Sequence, residues 1–520
     1  MLDLVVADAV IVDGTGAAPF RGSVGVEGDR IAWIGRDDVL VPEATRVVLA
    51  GGATLAPGFI DVHNHSDMAA WVTPSMPSTI RQGVTTVVVG NCGSSPWPLA
   101  GFAEGVRLSY GHPADVPVPA WTSFGDYLDD VDRLQPATNV AALVGHGSIR
   151  SEVMGSERRP PSPDELVRMV RLVAEAMAAG AVGFSTGLIY VPGIHCETDE
   201  VVTLARAAAD AGGIYASHIR GEGRDLFRGV DEAVEIGRRA GLPVHVSHLK
   251  CESSRVWGRA EDLLERIHSA PDASADQYPY EAWNSSLSSL LPPWAEAGAL
   301  PVDPATLGRL RDAVELGEPD FQSSIDGVGW DHVIVVDPAE DRWRGNDIAS
   351  IAAALGEEPF DAFLGLLNGD PETSCIGHAM DPRDVRTILA DPEIMVASDA
   401  SAIDPDGPAG ALPVHPREYG TFPRALALAR DERLMPLPPL IRSMTSLPAD
   451  RFALRDRGRI VEGTFADLVV FDAGRIRDLA TYEAPQAFPE GLLAVIVNGS
   501  VVWEEGQEVL QRAGRVLRRS

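Results

Sequence analysis

Phe59-Ile60-Asp61-Val62-His63-Asn64-His65-Ser66-Asp67 runs mostly apolar residues straight into two histidines at i and i+2. In an extended strand that spacing sends both imidazoles to one face. A strand end that presents two imidazoles together is half of a metal site. Seven further apolar runs follow, at 84–90, 139–145, 181–185, 213–217, 243–247, near 275–280 and at 394–398. Amphipathic helix patterns separate several of them. One spans Asp164 to Ala179, with Ser162 and Glu165 spaced as a capping box and Pro163 at the first helical position; another runs from about Arg224 to Arg239. Eight such runs with helical crossovers predict an α/β fold, a (β/α)8 TIM-like barrel, over an open doubly wound sheet. No Gly-x-Gly-x-x-Gly turn follows the first strand, which also weighs against a dinucleotide fold.

On either side of these runs the pattern changes. Residues 2 to about 50 alternate in short strands with turns at Asp13-Gly14 and Glu27-Gly28-Asp29, and the C-terminal end repeats the style around Asn498-Gly499. Neither end has enough strands to bury a face, so the two are expected to form one small β-sandwich, from residues 1–54 and 456–520, flanking a barrel over 55–455. The stretch from about 285 to 350 is rich in Pro, Trp, Asp and Gly without a clear period. It reads as an excursion after the seventh strand that covers the barrel mouth.

Composition narrows the function. The 520 residues carry a net charge of −32, which makes nucleic acid or an anionic membrane surface an unfavourable partner. No run of eighteen apolar residues and no signal-peptide pattern occurs, so a cytoplasmic location is the expectation. Cys92, Cys196, Cys251 and Cys375 lie far apart with no Cys-x-x-Cys pair, which argues against a disulfide framework or zinc ribbon. A homo-oligomer is admitted, though nothing here sets a subunit number. Of 43 basic residues a single one is lysine, Lys250, two residues after His248. A bias towards arginine explains the missing lysines but not the survivor, and an ammonium is a compact charge that arginine's fork does not replace.

Active sites of such barrels form at the C-terminal ends of the strands. Strand one ends in His63 and His65, strand two in Gly90-Asn91-Cys92, strand five in Ser217-His218, strand six in Ser247-His248 followed by Lys250, and strand eight in Ser398-Asp399. Thiolate, imidazole and carboxylate together are zinc's ligand set, and zinc acidifies a bound water for hydrolysis. Asp399 is the natural proton acceptor.

The order His-x-His, Cys, His, His, Asp at barrel strand ends resembles the amidohydrolase superfamily. More closely the chain resembles the N-acyl-D-amino-acid deacylases (D-aminoacylases), through Gly90-Asn-Cys-Gly, Ser217-His-Ile-Arg, Ser247-His-Leu-Lys, Asp276-Gln-Tyr-Pro-Tyr and His415-Pro-Arg-Glu-Tyr-Gly-Thr-Phe-Pro-Arg. The resemblance implies that Cys92, His218 and His248 hold a tightly bound Zn2+. His63, His65 and Asp399, with Cys92 bridging, would form a second and weaker site. Asp399 would also pass a proton to the departing amine, Lys250, Tyr280 and Arg417 would hold a small-molecule substrate by its free carboxylate, and Tyr190 would bond at the scissile amide. Tyr278 and Tyr280 are two apart and would share a strand face, so both are candidates to point inward.

Two stretches depart from the family pattern: Ala400 opens a longer loop, Ser401 to Leu412, and Glu281-Ala-Trp283-Asn is bulky, so Trp283 is expected to narrow or line the pocket. His112, His195, His245, His268, His332 and His378 fit no ligand set, and Cys196, Cys251 and Cys375 read as packed thiols. His146, at the end of strand three, stands between a packing role and a barrel-mouth hydrogen bond. A cyclic amidase of the dihydroorotase or hydantoinase kind is the rival activity, but such enzymes bridge two metals with a lysine on the fourth strand, and Ala181-Val-Gly-Phe-Ser-Thr-Gly has none. A non-catalytic scaffold on the same fold would lose several ligands, and this chain keeps the set.

Overall fold

The computed structural model describes residues 1–37, 39–98, 119, 121–295, 300–301, 303–371, 373–407, 410, 414–507 and 511–519. Eight parallel strands form one sheet in chain order: Phe59–Asp61, Val84–Val89, Asn139–Gly145, Gly183–Gly187, Ile214–His218, Val244–Val246, Ala273–Gln277 and Ile394–Val396. Nearly every strand residue is buried, because helices cover the outside while side chains fill the inside, and the runs therefore read as continuously apolar. Ile60, Val88, Leu143, Ala216 and Met395 share the inner core with Phe452 and Leu454. Arg451 beside them reaches the carbonyls of Val244 and Asp272, where strands six and seven begin. That end is packed shut, which leaves the opposite rim for chemistry.

The first and eighth strands are sewn together just past their ends. Asp399 N–H donates to the His63 carbonyl at 2.8 Å and His65 N–H to the Ala400 carbonyl at 2.8 Å. Asp61 fastens the same seam: its Oδ1 accepts the Ser398 N–H at 2.9 Å, and its Oδ2 accepts the Ser398 hydroxyl at 2.5 Å and the Asn64 amide at 2.8 Å. Burial pushes the Asp61 carboxyl up to about 6 against these bonds. Asp61→Ala strands three buried donors and is expected to cost about 3 kcal/mol. A urea midpoint unchanged within error would show that the seam holds without it.

Local signals behave as their chemistry requires. The helix Pro163–Ala179 starts at a capping box, with the Ser162 hydroxyl accepting the Glu165 N–H at 3.4 Å and the Glu165 carboxylate accepting the Ser162 N–H at 2.7 Å. The second predicted helix is Leu226–Ala240. Strands from both ends of the chain hydrogen-bond into one continuous eight-stranded sheet, in which Thr54–Pro57 pairs with Leu468–Phe471. Its core gathers Leu4, Val6, Val24 and Ile31 with Leu468, Val470 and Ile496. The last residues leave this sheet and bond to the third barrel strand, Val140 N–H donating to Arg515 O and Leu517 N–H to Val140 O.

The insertion after the seventh strand is longer and more ordered than the expected 285–350. It carries a three-stranded antiparallel sheet, Ala282–Ser286, Val333–Val335 and Ser374–His378, with helices Pro304–Leu316, Ile348–Leu355 and Pro359–Gly369. These enclose their own core around Leu287, Leu310, Phe360 and Phe363. Strands of three to five residues are too short to show a period, which is why the stretch reads as irregular. Among the described residues no helix is long and apolar enough to cross a membrane.

Candidate metal centre

Six side chains meet at the open rim. Cys92 Sγ lies 3.3 Å from His63 Nε2, 3.7 Å from His218 Nδ1 and 3.7 Å from His248 Nε2. Asp399 Oδ1 stands 3.3 Å from His63 Nε2 and 3.1 Å from His65 Nε2. With zinc bonds of about 2.0–2.3 Å, tetrahedral ligand atoms sit roughly 3.3–3.8 Å apart, so these spacings fit a metal. Three triads qualify: His63, His65 and Cys92; Cys92, His218 and His248; and His63, His248 and Asp399.

The backbone is bent to aim these groups. Cys92, His248 and Asp399 take φ of +52°, +38° and +53°, a left-handed conformation that costs a side-chain-bearing residue of order 1 kcal/mol. Each lies just past the end of its strand, where the kink turns the side chain towards the barrel axis. Gly90 at φ +79° has no room for a Cβ, which would meet the Leu143 carbonyl at 2.1 Å. Asn91 braces this turn by donating to Val88 O at 2.9 Å.

Electrostatics put Cys92, His218 and Asp399 in ligand-ready form and favour a proton on His63, His65 and His248. Burial opposes ionisation of the Cys92 thiol, but His63, His218 and His248 hold it well below its ordinary value. Burial lowers His218, which keeps its imidazole neutral. Burial also opposes charge on Asp399, yet the Arg417 guanidinium and then His63 and His65 hold its carboxyl well below the usual range. A metal must displace the proton that Asp399 and Cys92 stabilise on His65, whose pKa is pushed up to about 10 against burial.

Two carboxylates to which the sequence assigns no role orient the ligands. Glu222 Oε1 lies 2.9 Å from His248 Nδ1 and 2.7 Å from Lys250 Nζ, and its Oε2 is 3.6 Å from His218 Nε2. Asp276 accepts the His248 N–H at 2.8 Å and stands 2.7 Å from His245 Nε2 and 3.7 Å from His63 Nδ1. His245 is thus a support for Asp276 and no ligand. Among 75 acidic residues Glu222 has no local pattern to single it out, and Asp276 opens the Asp276-Gln-Tyr-Pro-Tyr run without any sign there of what it would support.

A cavity of about 660 Å³ opens over the cluster. Lys250, Arg417, Tyr190, Tyr278 and Trp283 line it, and Tyr280 does not. The expectation for Tyr280 is corrected: it is 1% exposed and its hydroxyl donates to the Pro416 carbonyl at 3.3 Å, away from the cavity. The strand ends at Gln277, and Tyr280 N–H bonds back to Tyr278 O at 2.9 Å, so strand alternation no longer governs the two rings. Tyr278 instead lies between two cations, with Lys250 Nζ 5.5 Å and Arg417 Cζ 5.3 Å from its ring centre. Arg417 Nη1 bonds Asp399 Oδ2 at 2.6 Å, while the buried Arg417 Nε and Tyr278 hydroxyl have no partner among the described residues. Tyr190 sets its ring edge against His218, centroids 4.8 Å apart.

His146 and the other three cysteines pack, whereas His268 and His332 are exposed beside Asp391 and Asp331. His146 Nε2 meets Glu200 Oε1 at 2.9 Å in a buried knot with Arg150 and Cys196. Burial pushes the Cys196 and Cys251 thiols up to about 12, and Cys375 is fully buried. The loop after Asp399 joins the site through Ser401, whose hydroxyl donates to His65 O at 3.2 Å. His112 and part of that loop lie outside the described residues.

A closed parallel barrel with imidazoles, a thiolate and a carboxylate gathered beneath a rim cavity is the architecture of metal-dependent barrel hydrolases. The chain belongs to the amidohydrolase family, which matches residues 46–503. It is 36% identical to the D-aminoacylase of Alcaligenes xylosoxydans xylosoxydans, across 100% of this chain and 98% of that one. It is equally 36% identical to the N-acyl-D-glutamate deacylase of the same organism, across 100% and 97%. The crystal structure of N-acyl-D-glutamate deacylase from Bordetella bronchiseptica, complexed with zinc and a phosphonate inhibitor, superposes with a TM-score of 0.83 at 33% identity over 100% of both chains. A D-hydantoinase shares the fold alone, at 15% identity and a TM-score of 0.57.

Proposed function

We propose that this protein is a zinc-dependent hydrolase that cleaves the linear amide of N-acyl-D-amino acids to a carboxylate and the free D-amino acid. The observation that carries the reading is the set of buried donors beside the ligand cluster: among the described residues Arg417 Nε and the Tyr278 hydroxyl lack acceptors, on two side chains that line the cavity together with Lys250. A substrate carboxylate supplies the missing acceptor, and a fork, a point charge and a phenol hold it in one orientation. The D configuration follows the relatives, two of which are named for D-amino-acid substrates.

In this reading Cys92, His218 and His248 hold the tight zinc, and His63, His65 and Asp399 complete a second position. When bound, zinc supplies a Lewis acid that polarises the scissile carbonyl and makes the attacking water more acidic. The protein's own groups do the rest. Glu222 and Asp276 hold His248 in place. The carboxylate clamp fixes the amide at attack distance, and Tyr190 hydrogen-bonds at the acyl group. Asp399, ionised and within reach of the rim, takes the proton of the attacking water and returns it to the departing amine nitrogen.

Zinc-loaded protein incubated with matched N-acetyl-D- and N-acetyl-L-amino acids is expected to release free amine from the D series. No release from any D substrate would overturn the assignment.

A further inference from the structure

Which amino acid is released is a separate question, and the answer below rests on the deacylase reading. Identity does not settle it, since the relatives at 36% include both a D-aminoacylase and an N-acyl-D-glutamate deacylase. The cavity's charges speak to it directly.

Among the described residues that line the cavity, the permanent cations are Lys250 and Arg417. Both are already matched, Lys250 Nζ by Glu222 at 2.7 Å and Arg417 Nη1 by Asp399 at 2.6 Å. Four carboxylates line the same space: Asp67, Glu222, Glu252 and Asp399. The substrate's α-carboxylate takes up what donor capacity remains on Lys250, on Arg417 and on the Tyr278 hydroxyl. A second carboxylate, on the substrate side chain, would enter with no cation to meet it.

Glu252 is one of the carboxylates that line this space. It follows Lys250 by two residues, is 4% exposed, and is anchored through its backbone, its N–H donating to the Glu222 carbonyl at 2.9 Å. Burial, then the charge of Glu222, push its carboxyl up to about 7, with Lys250 and the Ser324 hydroxyl opposing. The cavity thus already resists the negative charge it holds. The wall beyond Glu252 is built by the insertion and is neutral: Asn284, Ser285, Ser289 and Ser324. A separate observation points the same way. Trp283 also lines the cavity, is nine-tenths buried, and its indole N–H has no acceptor among the described residues, so this wall carries a neutral donor where an acidic side chain needs a cation.

We infer that the protein selects N-acyl-D-amino acids whose side chains carry no negative charge, and that Glu252 is the specificity-determining residue that excludes acidic ones. A neutral or cationic side chain meets Glu252 as a hydrogen-bond or charge partner, whereas a carboxylate either meets it as a like charge in a low-dielectric pocket or bears the cost of protonating it.

The test uses two isosteres, N-acetyl-D-glutamine and N-acetyl-D-glutamate, assayed on the zinc-loaded full chain as substrates and as competitors of N-acetyl-D-methionine hydrolysis. The expected preference for glutamine in kcat/KM, or in the competition constant, is about 100-fold or more. In Glu252→Gln the ratio is expected to fall to about tenfold or less, because the glutamate compound gains. A wild-type ratio near one, or favouring glutamate, overturns the inference whether or not the variant folds. A folded Glu252→Gln protein with the wild-type ratio removes Glu252 from the role. Failure to hydrolyse these three compounds and every other N-acetyl-D-amino acid overturns the deacylase reading itself, which is a distinct result.

Discussion

Asp399→Asn is expected to lower kcat by about 10³-fold or more while the tight zinc stays bound. Asparagine has the shape of aspartate and its amide oxygen still accepts from Arg417 Nη1, which bonds Asp399 Oδ2 at 2.6 Å. What it lacks is a basic carboxylate, and the two carboxylates that orient the ligands are engaged elsewhere. Glu222 is committed to Lys250 and His248. Asp276 lies beneath the cluster, bonded to His245. Zinc is expected to remain because Cys92, His218 and His248 form a complete triad without Asp399. Steady-state kinetics with metal analysis on the same sample decide the matter: turnover within about tenfold of wild type would move the proton carrier elsewhere.

Cys92→Ser is expected to strip the metal, with zinc after dialysis falling from about one per chain to well under a tenth and activity falling with it. Cys92 Sγ is the atom shared by two of the three candidate triads, within 3.7 Å of three imidazoles. A thiolate supplies negative charge and a soft donor, and a serine hydroxyl stays protonated at neutral pH. The left-handed backbone at Cys92 is unaffected by the change, so the variant tests the donor atom and not the turn. Full zinc retention would show that the imidazoles suffice.

Much of this was legible before any coordinates. The eight strand runs of the sequence each contain or overlap a barrel strand, because a parallel barrel buries both faces and leaves uninterrupted apolar stretches. The ligand residues were legible because they follow those runs directly, where every strand ends on the same rim. Lys250 stood out by composition alone, and it lies 2.7 Å from a buried carboxylate at the cavity edge.

Long-range packing set what local pattern does not carry. Tyr278 rather than Tyr280 faces the cavity because the chain leaves the strand after Gln277 and turns back on itself, a change no two-residue period records. Glu222, Asp276 and Glu252 gain their roles from neighbours on other strands. The insertion reaches beyond 350 because Ala282–Ser286 pairs with Ser374–His378, about ninety residues on. Apolar periodicity and strand-end chemistry are short-range properties written into consecutive residues, so the barrel and its ligands could be read from the chain. Charge pairing and side-chain direction arise from contacts across the fold, and so the shape and polarity of the substrate pocket came only with the folded molecule.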